Sequence, residues 1–349
     1  MYKNKKIWGL SLLLISPFTI AMQPMDDTSL ASTVGQDGIS IAISNSKIEF
    51  NQISVIDNDG FSYGGYTAPN YTGRAGLVIA GIAGQIPNNA LKPNPVAIVG
   101  LDSSNADTLL PTLNAIIDSD KGVGTKGAFV NINLSFSGNY SGFRIKPFSI
   151  YSANSSNLSS VIGGIYTKKT IFDVGSAIKL QSGVKEILRV NDNLDIKFIA
   201  SNKPTVNLQF GAAPQGHMAM FGGAIDSICG STASGCNMML VSDYTTVNDS
   251  TTAPIGASFD FQLKATNSTT GFRLNGFYGG IEGQAGAEAG GFVFGNNGVT
   301  DQFNLNLNNI KLGNAADSAN FNGLNNGSIG SLGMVGTSIS NLKMKISGM

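Results

Sequence analysis

His217 is the only histidine in this 349-residue chain, and that sets a ceiling on acid–base chemistry. A hydroxyl nucleophile needs a base that titrates near neutral pH and a third group to orient it. His217 lies in Gln215-Gly-His217-Met-Ala-Met, a strand-like stretch without the partners a triad requires. One Gly-x-Ser-x-Gly match exists, Gly60-Phe-Ser62-Tyr-Gly64. It runs on into Gly65-Tyr-Thr-Ala-Pro69, so the strand-to-helix turn that exposes such a serine is missing. The expectation is therefore no enzyme, no catalytic residue and no cofactor.

Metal and redox chemistry are similarly constrained. Asp57-Asn-Asp59-Gly60 supplies half of a calcium loop, two oxygen ligands at i and i+2 followed by the turn glycine. The remaining acidic positions of the loop are absent, so Asp57 and Asp59 form a weak calcium candidate beside the plainer reading of a turn. The Gly-rich segment Gln284-Ala-Gly-Ala-Glu-Ala-Gly290-Gly291 lacks the lysine of a phosphate cradle and reads as a loop. Cys229 and Cys236 are the only cysteines, and they bracket Gly-Ser-Thr-Ala-Ser-Gly. With His217 they make one ligand too few for a closed zinc set. In an exported chain they predict a disulfide that fixes a small loop.

Export is the expectation from the first residues. Lys3, Lys5 and Lys6 precede an apolar run from Ile7 to Ile20, and Thr19 and Ala21 stand at −3 and −1 of a cleavage point. A run this short falls below the roughly 20 residues of a membrane span, so residues 1–21 read as a signal peptide, with no integral span after cleavage. Removing them leaves 328 residues (349 − 21) with 19 Lys and Arg (22 − 3) against 22 Asp and Glu, a net charge of −3. Only Arg74, Arg144, Arg189 and Arg273 are arginines, and no basic block exists, which argues against a nucleic-acid partner. Asn, Ser, Thr and Gly replace charge as the polar set, a choice that suits strands and turns.

The elements that would carry these residues follow period-two alternation. Ile39, Ile41 and Ile43, then Leu194, Ile196 and Phe198, then Val206, Leu208 and Phe210 each alternate with smaller or polar residues. So do Phe259, Phe261 and Leu263, Phe303, Leu305 and Leu307, and Leu342, Met344 and Ile346. One dry and one wet face per strand predicts an all-β, mostly antiparallel fold, an elongated sandwich or a rolled sheet. Asp59-Gly60, Asn297-Gly298 and Asn326-Gly327 offer tight turns. A porin-like barrel expects aromatic girdles and a terminal aromatic, whereas the chain ends Ile346-Ser-Gly-Met349. Two helices are expected. Asp26, Asp27, Leu30 and Val34 suit a short one within the 22–38 linker, and Leu109, Leu110, Leu113, Ile116 and Ile117 suit one over 105–119. The β-rich body then occupies 39–349.

An internal echo stands at an offset of 129. Residues 128–148 contain Gly142-Phe143-Arg144 and Phe148, and residues 257–277 contain Gly271-Phe272-Arg273 and Phe277, behind alternating strands of equal spacing. The pattern reads as a duplicated strand–turn–strand unit. An arginine after a buried phenylalanine faces solvent or pairs with a carboxylate, although a functional role in both copies is also open.

The opening Gln23-Pro-Met25-Asp26-Asp27, followed by Leu30 and by Gly35-Gln36-Asp37-Gly38-Ile39, resembles Fil-type pilus-assembly and surface proteins of Acinetobacter and relatives. Asp57-Asn-Asp59-Gly60 and Leu77-Val-Ile-Ala-Gly-Ile82 extend the resemblance to about residue 85. It implies an association with the outer surface or a pilus, with surface or pilus-assembly proteins as partners, and no catalytic residue. Departures from chaperone-assembled pilins are its length and Gly348 at the penultimate position. The expected function is an exported structural or adhesive component at the cell surface, pilus or outer membrane. The alternative is a periplasmic or outer-membrane-associated carrier, with Phe259, Phe261 and Leu263 and Val206, Leu208 and Phe210 lining an apolar cavity.

Overall fold

A computed structural model describes residues 38–57, 73–82, 95–122, 127–158, 160–162, 165–167, 169–174, 178–244, 254–283, 290–314 and 328–347. The expected signal peptide and short N-terminal helix lie outside these residues, as do Asp59, Ser62 and the Asp59-Gly60 and Asn326-Gly327 turns. The chain divides into two units, Met1–Ile39 and Ser40–Met349, and the architecture below is that of the second.

It is built almost wholly of strands. The first are β1 (Ile39–Ile43), β2 (Ile48–Phe50), β3 (Gln52–Asp57), β4 (Ala75–Ala80), β5 (Val96–Leu101), β6 (Asp107–Thr108) and β7 (Thr112–Asp120). Then come β8 (Phe129–Ser137), β9 (Gly142–Ile145), β10 (Phe148–Asn154), β11 (Ser160–Ile162), β12 (Ile165–Thr167), β13 (Phe172–Val174) and β14 (Ile178–Leu180). The middle of the chain adds β15 (Val184–Val190), β16 (Leu194–Phe198), β17 (Thr205–Gly211), β18 (Ala219–Gly222), β19 (Ala224–Ile228), β20 (Cys236–Tyr244) and β21 (Pro254–Ala265). The last are β22 (Phe272–Arg273), β23 (Phe277–Glu282), β24 (Gly291–Asn296), β25 (Phe303–Asn314), β26 (Ser328–Thr337) and β27 (Lys343–Ile346).

Eight strands form the smaller sheet in the order β1-β7-β8-β17-β18-β23-β24-β27. Its ladders are antiparallel, and their register aligns the apolar alternation of one strand with that of the next. One row runs Ile117, Ile132, Leu208, Ala219, Gly279, Phe294, Met344 across seven strands. The opposite face carries Asn133, Asn207, Met220, Tyr278, Gly295 and Lys343 at successive pairings, a mainly polar row. A slip of one residue in any strand would put its apolar set on this polar face, so the alternation itself pins the register.

The larger sheet has 15 strands, with β2-β5-β9-β16-β19-β21-β20-β15-β10-β4-β3 as its main path. Its chief core joins Val96, Phe148, Val190, Cys229, Cys236 and Met238 with Phe50, Ile145, Leu194, Ile228, Phe259 and Phe261. These come from strands spread along that path, so one dry face runs through the sheet, and the fold is all-β and antiparallel as expected. A second core on the other face packs Val78, Ala80, Tyr151 and Ala153 beneath Ile171, Phe172 and Leu180. The hairpin β13–β14 provides that cover.

The helix expected over 105–119 is not formed. Residues Asp107–Thr108 pair with β5, and Thr112–Asp120 pairs with β8 in nine unbroken steps from Thr112↔Ser137 to Asp120↔Phe129. Three- and four-residue spacing among Leu109, Leu113 and Ile116 matches a helix, but β-branched Ile and Thr favour the pleat. The edge of β8 offers a full ladder that an isolated three-turn helix cannot match. Leu109 and Ile116 are left exposed as a result.

Candidate functional site

Both Gly-Phe-Arg units sit where the two sheets meet, and each residue type has a local reason. A Cβ on Gly142 would stand 2.2 Å from the Ile196 carbonyl oxygen. On Gly271, held at φ 68°, it would stand 2.4 Å from Ile199 Cγ1. Only glycine allows either approach. The following phenylalanines link sheet to sheet. Phe143 meets Phe136 of the smaller sheet with centroids 5.2 Å apart and planes at 78°, and Phe272 meets Phe277 at 5.8 Å. Phe198 and Phe303 extend the two clusters.

The arginines each grip one aspartate through two hydrogen bonds. Arg144 donates from Nε to Asp195 Oδ1 at 2.6 Å and from Nη2 to Oδ2 at 2.7 Å. Arg273 donates from Nε to Asp301 Oδ2 at 2.8 Å and from Nη2 to Oδ1 at 2.7 Å. Hydrogen bonding to Asp195 raises the Arg144 pKa further above its already high value, against the opposing effect of burial. Hydrogen bonding from Arg273 lowers that of Asp301. Asp107 also takes hydrogen bonds from Lys146 and Arg144, which outweigh the upward push of its partial burial and lower its pKa. The strand legs of the echo are placed differently: β8 lies in the smaller sheet and β21 in the larger.

Cys229 and Cys236 form the disulfide, with Cα atoms 5.2 Å apart, and both are buried in the larger core. The six-residue loop between them folds back over the expected wet face of β21. Gln262 Nε2 donates to the Thr232 carbonyl at 3.0 Å, and Asn308 Nδ2 donates to that of Ser234 at 3.2 Å. Gln262 is consequently buried where alternation alone predicts exposure, its amide satisfied by the loop. Ser231 donates to Asp195, and Cys229 N donates to the Asp195 carbonyl at 2.7 Å, so the loop and the first arginine clasp share one residue.

His217 stacks on Tyr278, with ring centroids 3.9 Å apart and planes 15° from parallel. Together with Gln209, Met218, Gly280 and Glu282 they line an open groove of about 520 Å³. Glu282 is lowered in pKa chiefly by its hydrogen bond from Lys343. The spacing in sequence gives no sign of the stacked pair, because 61 residues separate its members (278 − 217). Asp57 ends β3 as an exposed residue. Among the described residues no group of three His, Cys, Asp or Glu converges on one point. No helix among them is long and apolar enough to cross a membrane.

The two apolar sets considered for a cavity lie in different sheets: Val206, Leu208 and Phe210 in β17, Phe259, Phe261 and Leu263 in β21. Phe259 and Phe261 pack into the larger core. Beyond Phe294 the dry face of the smaller sheet comes into the open. Val130 and Phe210 are cross-strand partners, as are Ile281, Phe292 and Ile346 in sequence, and all five are exposed, Ile281 by 74%.

A family model described as a family of unknown function, DUF6160, matches residues 1–71. No curated protein matches the chain, and no solved structure matches it.

Proposed function

We propose that this chain is an exported structural or adhesive component associated with the outer surface or a pilus. The observation that carries the reading is the exposed apolar stretch formed by Val130, Phe210, Ile281, Phe292 and Ile346 along the smaller sheet. Single exposed apolar residues are ordinary, but a run of them in register across strands is a surface that gains by being covered. The disulfide supports an oxidising compartment outside the cytoplasm. The leader-like opening and the resemblance to Fil-type proteins point the same way. Rigidity comes from the two arginine clasps and the tied-down disulfide loop, which suits a part that bears contacts more than one that opens around a ligand.

Fractionation of cells before and after mechanical shearing tests this reading. The mature chain, lacking residues 1–21, is expected in the sheared or outer-membrane fraction. Recovery confined to the cytoplasm or to the soluble periplasm rejects it.

A further inference from the structure

The internal echo supplies its own comparison. Arg144 and Arg273 stand at the same place in the two Gly-Phe-Arg units, and each gives Nε and Nη2 to one aspartate. The remaining edge of the guanidinium differs between them. Arg144 Nη1 donates to Asp107 Oδ1 at 2.8 Å, Lys146 joins the same carboxyl, and the arginine side chain is only 12% exposed. Arg273 Nη1 has no hydrogen-bond partner among the described residues, and that side chain is 58% exposed. A carboxylate completes the first arginine, so a carboxylate is the group that would complete the second. Asp301 also accepts from Arg273 N at 2.9 Å, which holds the guanidinium in place before any ligand arrives.

Arg273 lines an open groove of about 560 Å³, within the size range of small-molecule sites. Thr266, Asn267, Thr270, Gln302 and Ser338 supply the rest of its polar wall. That wall is tied down on both sides. Thr266 N donates to the Gln302 carbonyl at 3.0 Å, and Asn267 Oδ1 accepts from Thr269 N and Thr270 N at 2.9 and 3.0 Å. Opposite, Thr300 N donates to the Ile339 carbonyl, and Ile339 N donates back to Thr300 Oγ1. Asn267 Nδ2, the Gln302 amide and the hydroxyls of Thr266, Thr270 and Ser338 make no hydrogen bond among the described residues. Asp301 balances the arginine charge within the groove, so a polyanion gains little there. One carboxylate set among several hydroxyls matches the donors and acceptors present.

We propose that this groove binds an acidic saccharide, with the sugar carboxylate on the free edge of Arg273 and its hydroxyls on the threonine, serine and amide side chains around it. The proposal rests on the adhesive form of the surface reading and names the ligand class for it.

Titration of the isotope-labelled mature chain with methyl glucuronoside, followed by amide chemical shifts, is the test. Shifts should concentrate on residues 266–273, 299–302 and 338. Methyl glucoside, which lacks the carboxylate, should bind about tenfold more weakly, as should methyl glucuronoside to Arg273→Gln, the worth of a hydrogen bond to a charged group. Arg273→Lys keeps the charge without the fork and should recover only part of the loss. Thr270→Val with Ser338→Ala leaves the clasp with Asp301 intact and should also weaken binding, which covers a failure of the arginine variants to fold. Absence of localised shifts overturns the proposal, as does equal affinity for the glucoside or undiminished binding by Arg273→Gln. Tighter binding of hexaglutamate would mark an acidic-peptide site and overturn it too. A chain that binds the glucuronoside but is confined to the soluble periplasm keeps the site and sinks the adhesive reading. A chain on the cell surface that does not bind sinks the site alone.

Discussion

Arg144 and Asp195 are joined by two parallel hydrogen bonds of 2.6 and 2.7 Å, and Asp195 is almost fully buried beneath the disulfide loop. A planar guanidinium on a carboxylate is among the stronger polar contacts a protein makes. Removing one partner strands the other charge in a site that water reaches poorly. Asp195→Ala is expected to destabilise the fold by about 3–5 kcal/mol, read as a fall in the urea midpoint. Arg144→Lys should recover only part of the loss, since an ammonium cannot reproduce the double contact. The corresponding change at the solvent-exposed pair, Asp301→Ala, should cost much less.

The disulfide closes a short loop, and its stabilisation should be correspondingly small. Chain entropy gives about 2.5 kcal/mol for a closure of this size. Gln262, Asn308 and Asp195 hold the same loop by hydrogen bonds, so reduction should lower the unfolding midpoint without loosening the sheets. Cys229→Ser with Cys236→Ser should match the reduced protein. Intact mass after alkylation of the denatured, unreduced chain should show neither cysteine labelled, and labelling of both would contradict the bond.

Asp301 provides a pH signature. Arg273 holds its carboxyl below the ordinary value of 3.8. The folded state therefore binds a proton less readily than the unfolded chain. The stability that this supplies is fully present above pH 3.8 and is lost as pH falls through the lowered folded value. Asp301→Asn should flatten the acid limb of a stability–pH profile while leaving its course near neutrality parallel to wild type. An unchanged acid limb would mean that the pair does not form in solution.

Period-two alternation was enough to locate β1, β16, β17, β21, β25 and β27, because each puts large apolar side chains on one face. It failed over 105–119, where helical spacing coexists with a strand whose partner, β8, lies beyond the window that periodicity reads. The cysteine spacing predicts the disulfide, whereas the Gly-Phe-Arg echo, read as a duplicated unit, gives no sign that both copies contact the smaller sheet through their phenylalanines. Asp195 and Asp301 could not be named as partners in advance, since they lie 51 and 28 residues from their arginines (195 − 144 and 301 − 273). Alternation predicts Gln262 of β21 exposed, but the loop between Cys229 and Cys236 covers it. Exposure along the smaller sheet is equally hidden: Leu208 and Phe210 look alike in sequence, yet Leu208 is half-buried and Phe210 exposed.

Tyr140 gives the last test, because its ring and its hydroxyl pull in opposite directions. The ring packs against Phe136, Phe143 and Phe198 at 6.2–6.3 Å, and Lys203 Nζ lies 4.2 Å from its centroid. The hydroxyl is buried and has no hydrogen-bond partner among the described residues. Tyr140→Phe keeps the aromatic contacts and most of the cation–π attraction while removing an unsatisfied polar atom, so it should raise stability by about 1 kcal/mol. Burial pushes the phenol up to about 12 from 10.0, which adds a second readout. The folded state resists ionisation, so the wild-type contribution is complete below pH 10 and is lost as pH rises from 10 towards 12. Tyr140→Phe should remove that part of the alkaline limb, and a destabilised variant with an unchanged limb would show that the hydroxyl is satisfied after all.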